Sequence, residues 1–249
     1  MNLRKVLFAL GTAALCTTAF TNAVARDVLR VGTASAPVEY LDSATKTYAG
    51  YDMDLIRAVA DKAGYDVEII NMGFDALIPA LSSGTIDVIA AGVSITEERA
   101  KRVDFTTPYY TTGLSILVRK TDAGTLKTMK DLEGKRIAVQ IGTTGAEKAK
   151  SIANAKVVSF NTTSDAFMDL AQGGCDAVIL DRPVIAYFLK NQPRAAKRVT
   201  LQPGVEDAAD FGFAVKKGNA ELLQKLNAGL KAVNDSGEGK KIFEKYFAE

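Results

Sequence analysis

Arg99 has the least structural reason of any residue in this chain to stand where it does. The apolar run Val88-Ile89-Ala90-Ala91 predicts a buried strand, and Thr96 is a favoured N-cap for a helix over residues 97–103. Glu97 and Glu98 suit the positive end of that helix, but Arg99, at its third position, adds charge of the wrong sign. A capping box would put Glu or Gln there instead. Free backbone amides, the hydroxyls of Ser94 and Thr96, and a guanidinium able to grip two oxygens make a site for a carboxylate. A surface ion pair between Arg99 and Asp104 or Glu98 is the competing explanation.

Asp181 raises the complementary question. Ala177-Val178-Ile179-Leu180 reads as a buried strand with Asp181 at its carboxyl end, and Pro183 suits the first turn of a following helix. Asp181 is then either the cap of that helix or the partner of an ammonium. Between these positions, Ile137-Ala138-Val139-Gln140 leads into the turn Ile141-Gly142-Thr143-Thr144-Gly145, whose amides at Thr144 and Gly145 can bind the same anion as Arg99. A cation and an anion on separate units have the charge layout that an α-amino acid needs.

The elements that must position these groups follow an α/β pattern. After residue 26, β-rich runs alternate with helix-period segments: a strand at Leu29-Arg30-Val31-Gly32, a helix over 54–63, a strand over 67–71, a helix over 75–82 and a strand over 87–91. Asp75-Ala76-Leu77, Gly84 and Asp87-Val88-Ile89 are echoed by Asp165-Ala166-Phe167, Gly173 and Asp176-Ala177-Val178-Ile179. Two such units imply two lobes. Residues 114–118 and 211–215 are the apolar stretches expected to cross between them, which gives lobe one residues 26–112 and 208–249, lobe two residues 113–207, and hinges at 109–113 and 207–212. Helices are expected near 221–233 and 238–247.

Composition removes several function classes. Histidine is absent, which takes away the commonest general base and transition-metal ligand. Arg4 and Lys5, the apolar run from Val6 to Leu15, and Ala23-Val24-Ala25 before Arg26 read as a secretory signal peptide over residues 1–25. Removing it takes two of the 31 basic residues and none of the 29 acidic ones, so the mature chain is neutral. Neutrality and the lack of a basic run argue against nucleic acid. No later segment is long and apolar enough to anchor in a bilayer. Leu15 before Cys16 argues against a lipoprotein signal, and Cys175 is expected to be a buried apolar residue.

Taken in order, Gly50-Tyr51-Asp52-Met53-Asp54, Phe74-Asp75-Ala76-Leu77-Ile78-Pro79-Ala80-Leu81, the arginine segment with Asp104-Phe105-Thr106, the Gly142-Thr143-Thr144 turn and Asp181 resemble the amino-acid-binding proteins of ABC importers. This is solute-binding protein family 3, with its glutamine-, histidine- and lysine/arginine/ornithine-binding members. The resemblance implies a two-lobed periplasmic-binding-protein-like α/β fold joined by a two-strand hinge. It implies that Arg99 and the Thr144 amide hold the ligand carboxylate, with Ser94 and the Gly92 carbonyl nearby, and that Asp181 takes the ammonium. Phe74 matches an aromatic that packs on the ligand side chain, its alternative being ordinary core. Gln140 matches a side-chain contact, or else lies at the surface.

One departure concerns the segment after the first strand. Relatives often carry an Asp and an aromatic there, whereas this chain has Ala34-Ser35-Ala36-Pro37, with Glu39 and Tyr40 just beyond. The implied protein is a monomeric, cofactor-free periplasmic carrier of a polar L-amino acid, serving a membrane permease. Two other readings stay open: a cyclohexadienyl or arogenate dehydratase on the same scaffold, for which Glu39 is the one loose candidate acid, and a soluble amino-acid sensor.

Overall fold

The computed structural model describes residues 26–34, 39–41 and 47–247. Residues 1–25, read from the sequence as a signal peptide, residues 35–38 and 42–46, and the side chains of Glu39 and Tyr40 lie outside the described residues.

The first sheet has five strands. β1 (Asp27–Thr33) is followed by the short pair β2 (Glu39–Leu41) and β3 (Tyr48–Gly50), helix α1 (Tyr51–Ala63) and β4 (Tyr65–Asn71). A turn of 3-10 helix at Phe74–Ala76 leads into α2 (Leu77–Ser83), then β5 (Val88–Ile89), α3 (Glu97–Ala100) and β6 (Val103–Phe105). β1 pairs in parallel with β4 and β5, and the late strand β13 (Ala214–Lys216) closes the sheet between β5 and β6 in antiparallel register.

The second sheet takes the middle of the chain: β7 (Tyr110–Arg119), β8 (Arg136–Gln140), α4 (Thr144–Ser151), β9 (Lys156–Phe160), α5 (Thr163–Gln172), β10 (Ala177–Asp181), α6 (Arg182–Asn191), α7 (Pro193–Ala196), β11 (Val199–Leu201) and β12 (Glu206–Phe211). Its order is β11-β7-β10-β8-β9, with β12 also paired to β7. β8, β9 and β10 run parallel and the strands paired to β7 run antiparallel, so both sheets are mixed. Helices α8 (Ala220–Asp235) and α9 (Glu238–Phe247) return to pack on α1.

The molecule is therefore two-lobed, each lobe a sheet covered by helices. One core joins Val31, Met53, Ile56 and Val59 to Phe213, Leu226 and Leu230, and so binds the C-terminal helices to the first sheet. In the second lobe Leu117, Ala138, Phe167, Val178 and Ile185 pack on one face of the sheet, and Leu132, Val139, Ala149 and Ile179 on the other. Cys175 is free and fully buried, as an apolar residue would be. Among the described residues no helix is long and apolar enough to cross a membrane.

Two elements differ from the sequence reading. Residues 114–118 sit in the middle of β7, wholly inside the second sheet, and the first crossing precedes them at residues 106–109. The return crossing falls at residues 212–213, between β12 and β13 and inside the expected stretch 211–215. The helix expected over 97–103 stops at Ala100, because Val103, Asp104 and Phe105 are claimed by pairing with β13, a partner more than a hundred residues away in sequence. Pairing across that separation overrides local propensity.

Candidate functional site

The carboxyl ends of β1 and β5 in one lobe, and of β8 and β10 in the other, face a single cleft. Ligands of open α/β sheets bind at such strand ends. All seven residues singled out from the sequence, Phe74, Gly92, Ser94, Arg99, Gln140, Thr144 and Asp181, line one cavity there, of about 640 Å³ counting its mouth. A wider opening of the cleft on the other side of Arg99 shares Phe74, Arg99, Thr143, Thr144 and Asp181 with it.

Arg99 is held from three sides. The Thr96 hydroxyl caps α3 by accepting the Arg99 backbone N–H at 3.2 Å, which fixes the start of the side chain. Its Nη1 donates to the Ser94 carbonyl at 2.9 Å and its Nη2 to the Gly142 carbonyl at 3.1 Å. The guanidinium lies over the Phe74 ring, 5.5 Å from its centroid, so Phe74 supports the arginine as well as facing the cavity. Burial lowers the Arg99 pKa, with Asp181 pulling the other way. The surface-pair explanation fails: Asp104 pairs instead with Lys217 Nζ at 2.6 Å and accepts the Gly218 N–H at 2.7 Å. Arg99 makes no salt bridge among the described residues; both of its side-chain hydrogen bonds go to carbonyls.

Asp181 ends β10 and occupies the N-cap position of α6, yet its side chain makes no capping bond. Pro183 in that first turn removes one of the N–H groups a cap would serve. The carboxylate is 6% exposed and faces the cavity. Burial pushes its pKa up to about 7, against the pull of the Arg99 guanidinium and its own backbone N–H. A carboxylate left this dry by its own protein is an acceptor suited to a cation brought in from outside.

The turn between β8 and α4 is built by two close approaches. Gly142 has φ +80°, and a Cβ there would lie 3.1 Å from Cα of Asp75 in the opposite lobe. A Cβ on Gly145 would lie 2.4 Å from the Ile179 carbonyl, so α4 can seat against β10 only with glycine there. Thr143 caps α4, its hydroxyl accepting the Ala146 N–H at 3.1 Å, which leaves Thr144 as the first helical residue, its N–H unpaired within the helix, at the cavity lining. Gln140 is 5% exposed rather than at the surface, and its Nε2 donates to the Asn161 carbonyl at 3.1 Å.

Several lining residues were not singled out from the sequence as ligand contacts. Asp52 in the first turn of α1 is fully enclosed; its Oδ2 accepts the Gly92 N–H at 2.5 Å and the Tyr109 hydroxyl at 2.7 Å. Burial raises its pKa to about 6 while those two donors lower it. It thereby fixes the floor of the cavity at Gly92. A carboxylate among apolar residues in Gly50-Tyr51-Asp52-Met53 was the available hint. Tyr51, Tyr110, Phe211 and Phe247 form an aromatic wall at the crossings, with Tyr110 and Phe211 stacked at 5.9 Å and Tyr51 edge-on to Phe247 at 5.0 Å. Thr163, the first residue of α5, completes the lining. Together these groups offer a cation, an anion and helix amides at one end, and polar and aromatic surface around the rest.

Comparison with known proteins agrees with this arrangement. A probable histidine-binding protein of Campylobacter jejuni is 34% identical over 223 residues, covering 89% of this chain and 85% of its own. The solved structure of an ancestral arginine-binding protein bound to arginine is 41% identical with a TM-score of 0.83, covering 90% of this chain and 99% of that one. An ancestral amino-acid-binding protein described as a precursor of cyclohexadienyl dehydratase is 38% identical with a TM-score of 0.80, covering 88% and 95%. Residues 29–249 match the bacterial extracellular solute-binding proteins, family 3, and the chain belongs to that family.

Proposed function

We propose that this protein is the secreted ligand-capturing component of an ABC importer, closing on one free polar L-amino acid and delivering it to a membrane permease. Arg99 and the Thr144 amide take the α-carboxylate, with Ser94 and the Gly92 carbonyl beside them, Asp181 takes the ammonium, and Phe74 and Gln140 meet the side chain. The observation that carries this reading is that Arg99 and Asp181, on opposite lobes, face one cavity and neither is spent on a side-chain ion pair. A zwitterion supplies the charge that each lacks, so burying all four charges together is compensated on both sides.

The relatives support transport of an amino acid, and their names include binders of histidine and arginine. The two lobes move about the crossings at residues 106–109 and 212–213, a few residues outside the boundaries 112/113 and 207/208 read from the sequence. The protein acts as a periplasmic monomer after loss of residues 1–25, without a cofactor and without turning its ligand over.

A thermal-shift screen of the mature protein against the twenty amino acids tests this. A true ligand at about a hundred times its dissociation constant stabilises by roughly 2.7 kcal/mol. Mass spectrometry after hours of incubation should return the ligand intact. A screen with no shift, or turnover of prephenate or arogenate by the pure protein, overturns the reading.

A further inference from the structure

Thr163 holds a hydroxyl that the fold does not use. It is 2% exposed, lines the cavity, and its Oγ1 has no hydrogen-bond partner. Buried hydroxyls are ordinarily paired, so an orphan on a residue that lines a cavity points to a group that arrives there. Helix chemistry does not account for it. The capping of α5 is done by Thr162, whose hydroxyl accepts the Asp165 N–H at 3.1 Å and bonds Asp165 Oδ2 at 2.7 Å.

Gln140 stands beside it. Gln140 is in register with Phe160 at the end of β9, and α5 starts three residues later at Thr163. Its Nε2 is tied to the Asn161 carbonyl, which orients the amide and leaves Oε1 as an acceptor with no partner among the described residues. Gln140 and Thr163 therefore present one acceptor and one hydroxyl, which can donate or accept.

Their place in the sheet sets what they can reach. β8 lies between β10 and β9, so Asp181 is on one side of Gln140 and Thr163 is on the other. Two strand spacings, roughly 10 Å, separate the ends of β10 and β9. An ammonium at Asp181 and a side chain of glutamine length, with a hydrogen bond at each end, fill that span.

Charge narrows the class further. Among the described lining residues the charged groups are Arg99, Asp181 and Asp52. The first two are taken by the zwitterion, and Asp52 Oδ2 is already held by Gly92 and Tyr109. No described basic residue at this end pairs an acidic side chain, and the positive N-terminus of α5 opposes a cationic one. Resting on the amino-acid reading above, we infer that Thr163 and Gln140 are specificity-determining residues and that the ligand is an amino acid whose side chain ends in a neutral hydrogen-bonding group, a carboxamide above all.

Calorimetry with L-glutamine, L-arginine, L-glutamate and L-methionine on the wild type, Thr163→Val and Thr163→Ser tests this. Glutamine should bind wild type most tightly of the four. Thr163→Val keeps the shape and loses the hydroxyl, so glutamine should weaken about ten- to a hundredfold while methionine, of similar length, is unchanged. Thr163→Ser should restore glutamine binding, which separates a lost hydrogen bond from a damaged fold. Equal glutamine affinity in Thr163→Val, or tighter wild-type binding of arginine or glutamate, overturns the inference while leaving amino-acid capture standing. Binding of none of the four or of any other amino acid sinks both.

Discussion

Nη2 of Arg99 donates across the cleft to the carbonyl oxygen of Gly142 at 3.1 Å, and the two residues belong to opposite lobes. The same guanidinium donates to the Ser94 carbonyl within its own lobe. Both acceptors are neutral, and a carboxylate is the stronger acceptor for a guanidinium. On the reading proposed above, one arginine couples the capture of an anion to the contact between the lobes.

Arg99→Ala should abolish binding in a protein that still folds. Losing a charge-assisted pair at a desolvated carboxylate costs on the order of 2–5 kcal/mol, which is about thirtyfold to several thousandfold in affinity. Arg99→Lys should recover little of it, since an ammonium cannot grip two oxygens in a plane. Calorimetry with the ligand identified by the screen, beside a melting curve for each variant, decides the matter; wild-type affinity in a folded Arg99→Ala would remove the residue from the site.

Asp181→Asn should trade function for stability. The folded pKa of Asp181, about 7, lies above its ordinary 3.8, so the folded protein holds that proton more tightly than the unfolded chain. The sign follows: Asp181 contributes stability below pH 3.8 and loses it as the pH rises to 7, leaving a buried ionised carboxylate as a net cost above that. Asparagine removes the cost. At pH 8 and without ligand the variant should be more stable than wild type by up to about 4 kcal/mol, with a smaller gain near pH 4. Scanning calorimetry at the two pH values checks the sign, and a variant less stable at pH 8 would contradict it.

Both charged residues were legible in the sequence: Arg99 stands in the first turn of α3, where helix chemistry leaves its type unexplained, and Asp181 ends a buried strand, where a helix cap was the competing account. For Asp181 the competing cap was a matter of side-chain direction, which only coordinates show. The end of α3 was not legible, because its last residues are claimed by β13, and strand pairing across such a separation leaves no local trace. The aromatic wall was hidden for the same reason: Tyr51, Tyr110, Phe211 and Phe247 meet only when α9 folds back over both crossings. Thr163 lay in the polar run Asn161-Thr162-Thr163-Ser164, where one threonine caps and its neighbour turns inward.

Ligand affinity should fall with acidification. An ammonium needs Asp181 ionised, and a group with a pKa of about 7 is almost wholly protonated at pH 5. Binding should weaken roughly ten- to a hundredfold between pH 8 and pH 5, as the competent fraction shrinks. Arg99 stays cationic throughout that range. Asp52, at about 6, titrates in the same window, so the control is Asp181→Asn, whose residual affinity should be nearly flat with pH. Retention of the full pH dependence in that variant would assign it to Asp52 instead.

Gly142→Ala should hold the lobes apart. Its φ of +80° is one that alanine adopts only with strain, and the added Cβ would meet the Asp75 backbone 3.1 Å away in the opposite lobe. Asp75 belongs to the 3-10 turn that also carries Phe74, so it has little freedom to retreat without moving the ring beneath Arg99. The substitution touches neither core, so the ligand-free protein should lose only the strain of that one residue, about 1–2 kcal/mol, and still fold. Affinity should drop at least tenfold, because closure brings the two halves of the site together. Small-angle scattering gives the decisive readout. Wild type should compact on adding ligand, and the variant should stay expanded at a ligand concentration that saturates it. Full compaction with unchanged affinity would show that the Gly142 approach to Asp75 is no part of closure.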